Sequence, residues 1–277
     1  MAEFIINRDF DVQSIDFDGF FSSPHISRSP TQITATYPNN VKQILIGHDF
    51  TFDNHGLPKG GTLNEIDLKV GNAFVYTLSG ISTKIADIRE AVLQGSEAAE
   101  ERIVKDWLKG DDTISLTDRS DMFYGFGGGD TMNGYGGTDW LYGMSGDDTL
   151  KGGTGNDRLV GGVGRDTMTG GTGSDIFLFN DRDSAAARPA SDIITDFSSA
   201  QQDRIDLKQI DANTKAAGDQ KFTFNGDQYF HNHAGELIYK TTAGNTFVSG
   251  DTNGDGTADF TIHLSQAMVL HSSDFQL

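Results

Sequence analysis

Between Asp112 and Phe177 one arrangement of polar and apolar positions recurs without a slip. Aspartates stand at 112, 121, 130, 139, 148, 157, 166 and 175, each nine residues after the last. Two positions after each comes an apolar residue: Ile114, Phe123, Met132, Leu141, Leu150, Leu159, Met168 and Phe177. Glycines fill the intervals, 18 of the chain's 34 lying between Gly125 and Gly173. The pattern predicts a three-residue strand with its middle side chain inward, then a six-residue turn in which glycine supplies positive φ and close backbone approach. Two nine-residue units make one coil of eighteen, and successive coils stack as parallel strands about 4.8 Å apart.

That stacking puts Asp112, Asp130, Asp148 and Asp166 in one column and Asp121, Asp139, Asp157 and Asp175 in another on the opposite edge. Like charges so close repel. A hard divalent cation held by carboxylates and turn carbonyls relieves the repulsion, and calcium takes six to eight such oxygens. The inner file of apolar side chains is too thin to offset the entropy of ordering so many glycines, so binding and folding are expected to be one event. A flexible glycine linker would need no register at all.

The units resemble the GGxGxDxUx nonapeptide of RTX proteins, most plainly in GGTGND (152–157), GGVGRD (161–166) and GGTGSD (170–175). The resemblance implies a right-handed parallel β-roll with each calcium ion between turns n and n+2, held by aspartate carboxylates and turn carbonyls. Carried over at turn places one, two, four and six, the implied ligands are Gly152, Gly153, Gly155 and Asp157; Gly161, Gly162, Gly164 and Asp166; and Gly170, Gly171, Gly173 and Asp175. The earlier turns keep places one, four and six: Gly125, Phe126, Gly128 and Asp130; Gly134, Tyr135, Gly137 and Asp139; Gly143, Met144, Gly146 and Asp148. A side chain at place two leaves its carbonyl available. LKGDD before Thr113 and LTDRSD before Met122 lack most glycines and are expected to cap the N-terminal end.

After Phe177 the nine-residue period stops, and SDIITDF, QDRIDL, GELIY and GDTNGDGTADFTIHL alternate like short strands. Residues from about 110 to the end resemble the C-terminal domain of serralysin-type proteins, which implies a β-roll running into a β-sandwich cap. Asp251, Asn253, Asp255, Gly256 and Asp259 reproduce places one, three, five, six and nine of an EF-hand loop, but Ile262 stands where the bidentate glutamate belongs. The loop is therefore either a weakened calcium site or an Asx-rich turn. Asp203 and Asp206 could ligate an ion or face solvent. The ending HSSDFQL resembles part of an uncleaved type I secretion signal, or is an ordinary last strand. The start, MAEFIINRDF, has no basic stretch leading into a long apolar run, so export is expected to use that other signal.

Ahead of the repeats, QITATY, VKQILIG and NAFVYTL read as strands, with DNHGLPKGGT a turn between them. Ile85, Ile88 and Val92, then Ala99, Ile103 and Trp107, predict one or two short helices. The chain is thus expected to be mainly β, in three parts: 1–105, a small β-rich domain; 106–180, the roll; and 181–277, the cap.

Charge narrows the function. A net charge of −19 should repel nucleic acid and anionic lipid, and no run approaches the ~18 apolar residues of a membrane span. Cysteine is absent, which removes disulfides and thiolate chemistry. Neither HExxH nor GxSxG occurs, so the usual serralysin protease and lipase sites are missing. His231 with His233, and His48 with His55 near Asp49 and Asp53, are the histidine pairs to inspect; surface and loop roles are the commoner outcome. The expected protein is a secreted calcium binder whose partners are calcium, the type I secretion apparatus and an extracellular polysaccharide or protein. A small polysaccharide-modifying enzyme or other hydrolase with its site in 1–105, and a self-assembling matrix or surface protein, stay as alternatives.

Overall fold

The computed structural model describes residues 3–6, 25–29, 31–37, 41–52, 58–70, 73–84, 106, 108–181, 183 and 190–277. The chain divides into two compact units, Met1–Thr117 and Asp118–Leu277.

In the first unit β1 (Glu3–Ile6), β2 (His25–Arg28), β3 (Gln32–Tyr37), β4 (Val41–Phe52), β5 (Pro58–Val70) and β6 (Ala73–Lys84) pair in the antiparallel order β2-β3-β4-β5-β6-β1. Strand β7 (Thr113–Ser115) adds in parallel to β1. Alternation places Ile33, Leu45, Leu63 and Ile66 in the core, all fully buried. PKGGT, expected to turn, begins strand β5. Its Gly61 takes φ +114° where a Cβ would overlap Phe50, so glycine here serves a bulged strand and not a loop. Ile85, Ile88, Val92, Ala99, Ile103 and Trp107, which predict the helices, lie outside the described residues.

The second unit is the coil that the period predicts. Strands β8 (Met122–Tyr124), β10 (Trp140–Ser145), β12 (Arg158–Val163) and β14 (Ile176–Asn180) pair in parallel on one side. Strands β9 (Thr131–Asn133), β11 (Thr149–Thr154) and β13 (Thr167–Thr172) do so on the other. Partners are eighteen apart, as in Leu141 with Leu159 and Leu150 with Met168. Phe123, Met132, Leu141, Leu150, Leu159, Met168 and Phe177 are fully buried between the sheets, and burying each such side chain contributes roughly 1.5–3 kcal/mol.

Both sheets outlast the period. Strand β15 (Ile193–Ile194) pairs in parallel with β13, and β16 (Arg204–Gln209) with β14. Beyond a short strand, β17 (Thr223–Phe224), the hairpin β18 (Glu236–Thr242) and β19 (Asn245–Asp251) leads antiparallel into β20 (Phe260–Leu264), which pairs with β15. Strand β21 (Phe275–Gln276) closes the other sheet against β16. The cap is the roll's own two layers continued, and Ile194, Ile205 and Leu264 extend the buried inner file.

Candidate metal centre

Each turn ends on an aspartate just before the next strand begins, and none of the repeat aspartates from Asp130 to Asp175 is more than 1% exposed. One carboxylate oxygen is held by the coil before: the N–H of Asp139 donates to Asp157 Oδ1 at 2.9 Å, that of Asp148 to Asp166 Oδ1 at 2.8 Å, and that of Asp157 to Asp175 Oδ1 at 2.9 Å. The same bond joins Asp121 to Asp139 at 2.8 Å and Asp130 to Asp148 at 2.7 Å. The second oxygen is different. In Asp139, Asp157, Asp166 and Asp175, Oδ2 is buried with no hydrogen-bond partner, an arrangement that costs roughly 1–3 kcal/mol or more per charged group unless something compensates it.

What each Oδ2 faces is set by the turn's first glycine. A Cβ on Gly152 would overlap Asp157 Oδ2 and lie 2.7 Å from the carbonyl oxygen of Gly170, one coil on. Gly134 stands likewise between Asp139 Oδ2 and the Gly152 carbonyl, and Gly143 between Asp148 Oδ2 and the Gly161 carbonyl, each carbonyl 2.5 Å from the added carbon. Gly125 completes the series with Asp130 and the Gly143 carbonyl at 2.9 Å. Each cradle joins a carboxylate to a carbonyl of the next coil and excludes any side chain, a donor set of hard oxygens suited to calcium. Among the described residues no three acidic or imidazole side chains gather in one group, so carbonyls must complete any coordination shell. Calcium bound here would supply the positive charge that burial of these carboxylates requires.

The electrostatics agree. Burial pushes the Asp139 carboxyl up to about 7; the N–H of Asp121 pulls it down, and the charges of Asp157 and Asp121 add to the rise. Burial likewise raises Asp166 to about 8 and Asp175 to about 7, against the N–H bonds from Asp148 and Asp157 and with neighbouring aspartates reinforcing the rise. Asp157 and Asp203 rise for the same first reason.

Place two takes positive φ throughout. Phe126, Tyr135 and Met144 sit at 67° to 77°, whereas Gly153, Gly162 and Gly171 open to 100° to 111°. At those three glycines a Cβ would strike the carbonyl of the turn beneath, so glycine there is obligatory. Places four, from Gly128 to Gly173, are positive as well. Place five adds a ladder that the period does not reveal: Ser120, Asp147 and Asn156 accept the N–H groups of Thr138, Arg165 and Ser174 at 3.0, 2.9 and 2.8 Å, each eighteen residues on. A small polar residue before the aspartate was the available signal.

The column also gains members. Asp192 Oδ1 accepts the Asp166 N–H at 2.8 Å and Asp203 Oδ1 the Asp175 N–H at 3.0 Å, with both aspartates buried. Asp206 is 7% exposed and accepts the Lys208 N–H.

The loop with EF-hand spacing is built otherwise. Asp251 accepts the N–H groups of Asn253, Gly254 and Gly256, and Asp259 those of Thr252 and Asn253 together with the Thr252 hydroxyl and the Asn253 amide. Asp255 turns to Thr257. These are nested Asx turns, with the carboxylates committed to donors around them. His231 pairs through Nδ1 with buried Glu236 at 2.8 Å, and Glu236 also accepts the N–H of His233, so the two histidines clamp a carboxylate. His48 contacts Asp49 at 2.9 Å on an exposed bulge, and His55 and Asp53 lie outside the described residues.

Residues 109–141 and 142–177 match the family model of the RTX calcium-binding nonapeptide repeat (4 copies). This stretch is an array of RTX repeats. Among solved structures the chain is similar to two subunits of the Azotobacter vinelandii mannuronan C5-epimerase, both determined in solution. To AlgE6R3 it is 23% identical, covering 57% of this chain and 71% of that one with a TM-score of 0.34. To AlgE6R2 it is 24% identical, covering 61% and 92% with a TM-score of 0.30. No curated protein matches. The RTX array ends with Phe177, so Asp192 and Asp203 stand outside the matched residues.

Proposed function

We propose that this is an exported calcium-binding protein whose RTX array is unfolded where calcium is scarce and sets into the roll in extracellular calcium. The carrying observation is the row of buried Oδ2 atoms without hydrogen-bond partners in Asp139, Asp157, Asp166 and Asp175. Without a cation the folded array must either bury those charges or protonate them, and both oppose folding at neutral pH. The folded array then anchors the N-terminal unit, which serves as a binding or interaction domain for an extracellular polysaccharide or protein. The serralysin-like C-terminal segment closes the roll, and HSSDFQL forms part of an uncleaved type I signal.

Circular dichroism and light scattering of the full chain during a calcium titration test this reading. The expected result is a cooperative gain of β signal with compaction between excess chelator and millimolar calcium. An identical β signal and radius in both conditions would overturn it. Export is tested separately, by deleting residues 271–277 and assaying the medium of a host with a type I exporter.

A further inference from the structure

The sheet formed by β8, β10 and β12 carries aromatic rings on its outer face. Phe123 and Leu141 point inward and are fully buried, so Tyr124, Trp140 and Tyr142 beside them point outward, and all three are half-buried. Strands β8 and β10 pair in parallel with Tyr124 directly opposite Tyr142. That register brings the two phenol rings face to face, their centroids 4.6 Å apart and their planes within 14°. The row stops at two. The next strand places Val160 opposite Tyr142, and β8 ends its sheet. Among the described residues no other two tyrosines stack on each other.

Two further oxidisable groups adjoin the pair. Trp140 is tilted against Tyr142 at 6.5 Å, and the Tyr124 hydroxyl donates to Met122 Sδ at 3.5 Å. The Arg158 guanidinium lies 4.7 Å from the centre of the Trp140 ring, and its charge opposes removal of an electron from the indole. A tyrosine escapes that penalty, because its proton leaves with the electron and no charge stays behind. Burial raises the Tyr142 phenol above its ordinary value, Tyr124 adds to the rise and Arg158 works against it. The phenol is therefore protonated at neutral pH, and solvent at the half-buried face takes the proton.

The geometry points to an oxidative cross-linking site, in which Tyr124 and Tyr142 couple into a dityrosine that staples two consecutive coils of the roll. The oxidant is an extracellular peroxide acting through a one-electron peroxidase. Each phenol gives up one electron and its hydroxyl proton. The two phenoxyl radicals then join through ring carbons beside the oxygens; a C–C bond forms, and the hydrogens on those carbons move to the oxygens and restore both phenols. Two electrons and two protons pass to one peroxide, which leaves as two waters. The new bond ties residues eighteen apart, so it closes a loop in the unfolded chain and removes part of that state's entropy. A stapled roll needs less calcium to fold, a consequence that rests on the calcium reading of the array.

The test treats the full-length chain with hydrogen peroxide and a peroxidase in millimolar calcium, then maps the monomer by digestion and mass spectrometry. The expected product is a pair of peptides joined through Tyr124 and Tyr142, two hydrogens lighter than their sum and fluorescent as dityrosine; oxidation of Met122 adds an oxygen instead and is told apart by mass. Tyr124→Phe and Tyr142→Phe each keep a ring in the stack but remove one phenol, and both should abolish the cross-link while circular dichroism in calcium stays unchanged. After cross-linking, the calcium midpoint of the wild-type chain should fall by about twofold or more; an unmoved midpoint overturns the stapling role. A folded array that yields no such peptide pair overturns the site. So does equal dityrosine from either Phe variant, which would assign the product to collisions through Tyr229, 80% exposed. Reaction in chelator separates this site from the reading of the array. Loss of the cross-link together with the β signal supports both, and equal yield from an unfolded chain overturns the site. Equal yield from a chain that keeps its β signal overturns the calcium reading and leaves the site standing.

Discussion

Asp157 and Asp251 are equally hidden from water, at 1% and 0% exposure, yet their carboxylates live in opposite conditions. Asp157 has one oxygen on a single N–H and the other on nothing. Asp251 has both oxygens engaged, by three N–H groups of its own loop. Glu236 is the extreme of the second kind: burial opposes its ionisation, but the N–H and ring of His231 and the N–H of His233 overcome this and hold its carboxyl below the ordinary value. In the array burial wins and the carboxyls rise. Burial of a carboxylate is therefore a poor guide to a metal site in this chain. Oxygens left over after the backbone has taken its share are the better one.

Chelation is the strongest way to press the contrast. In excess chelator at neutral pH, amide exchange at Asp139, Asp148 and Asp157 should become fast, and calcium should restore protection by several orders of magnitude. Slow exchange in chelator would place the array with the self-satisfied loop. Protons should run the same transition. The raised carboxyls sit at about 7 to 8 in the folded, metal-free chain against 3.8 ordinarily, so the fold gains protons between those limits. Metal-free β structure should be greatest near pH 4, decline as pH rises through 7 to 8, and stay lost above, as circular dichroism in chelator can follow. Calcium binding near pH 7 should release protons. Glu236 carries the opposite sign: its contribution is present above its ordinary 4.5 and lost as pH falls through its lowered value.

Substitutions separate the two kinds of carboxylate more finely. Asp251→Ala leaves three N–H groups without their acceptor and should cost about 1–3 kcal/mol in saturating calcium, measured by urea unfolding, with the number of bound ions unchanged. Asp157→Ala should instead raise the calcium midpoint and remove an ion. If both variants shift the midpoint equally, the distinction fails. The smallest effect is expected at place two. Tyr135 holds φ +67°, and Tyr135→Gly should relieve about 1 kcal/mol of backbone strain, seen as a small rise in thermal midpoint at saturating calcium.

The roll was legible because its contacts repeat at a fixed interval: an aspartate and an inward side chain every nine residues define both columns and the core. The same signature, an aspartate with an apolar residue two places on, persists in Asp192 with Ile194 and Asp203 with Ile205. It goes unnoticed because the strand-to-strand intervals stretch from 18 residues to 26 and 28. EF-hand spacing at Asp251–Asp259 left an ion site and an Asx-rich turn both open, because spacing fixes which oxygens are near, not which donors reach them. In the first unit QITATY, VKQILIG and NAFVYTL coincide with β3, β4 and β6, whereas the start of β5 was masked by Pro58, Gly60 and Gly61. Glycine in a bulged strand is indistinguishable in sequence from glycine in a turn.

Each cradle borrows from both sides. The Asp157 carboxylate is aimed by an N–H from the coil before it, and its opposite wall is the Gly170 carbonyl of the coil after. A complete pocket thus spans three successive layers, and neighbouring pockets share two of them. Such overlap makes partial occupancy unprofitable, because a lone filled pocket must order layers whose other positions go unrewarded. The array should respond to calcium as a threshold device, dark over a wide range of concentration and then abruptly complete.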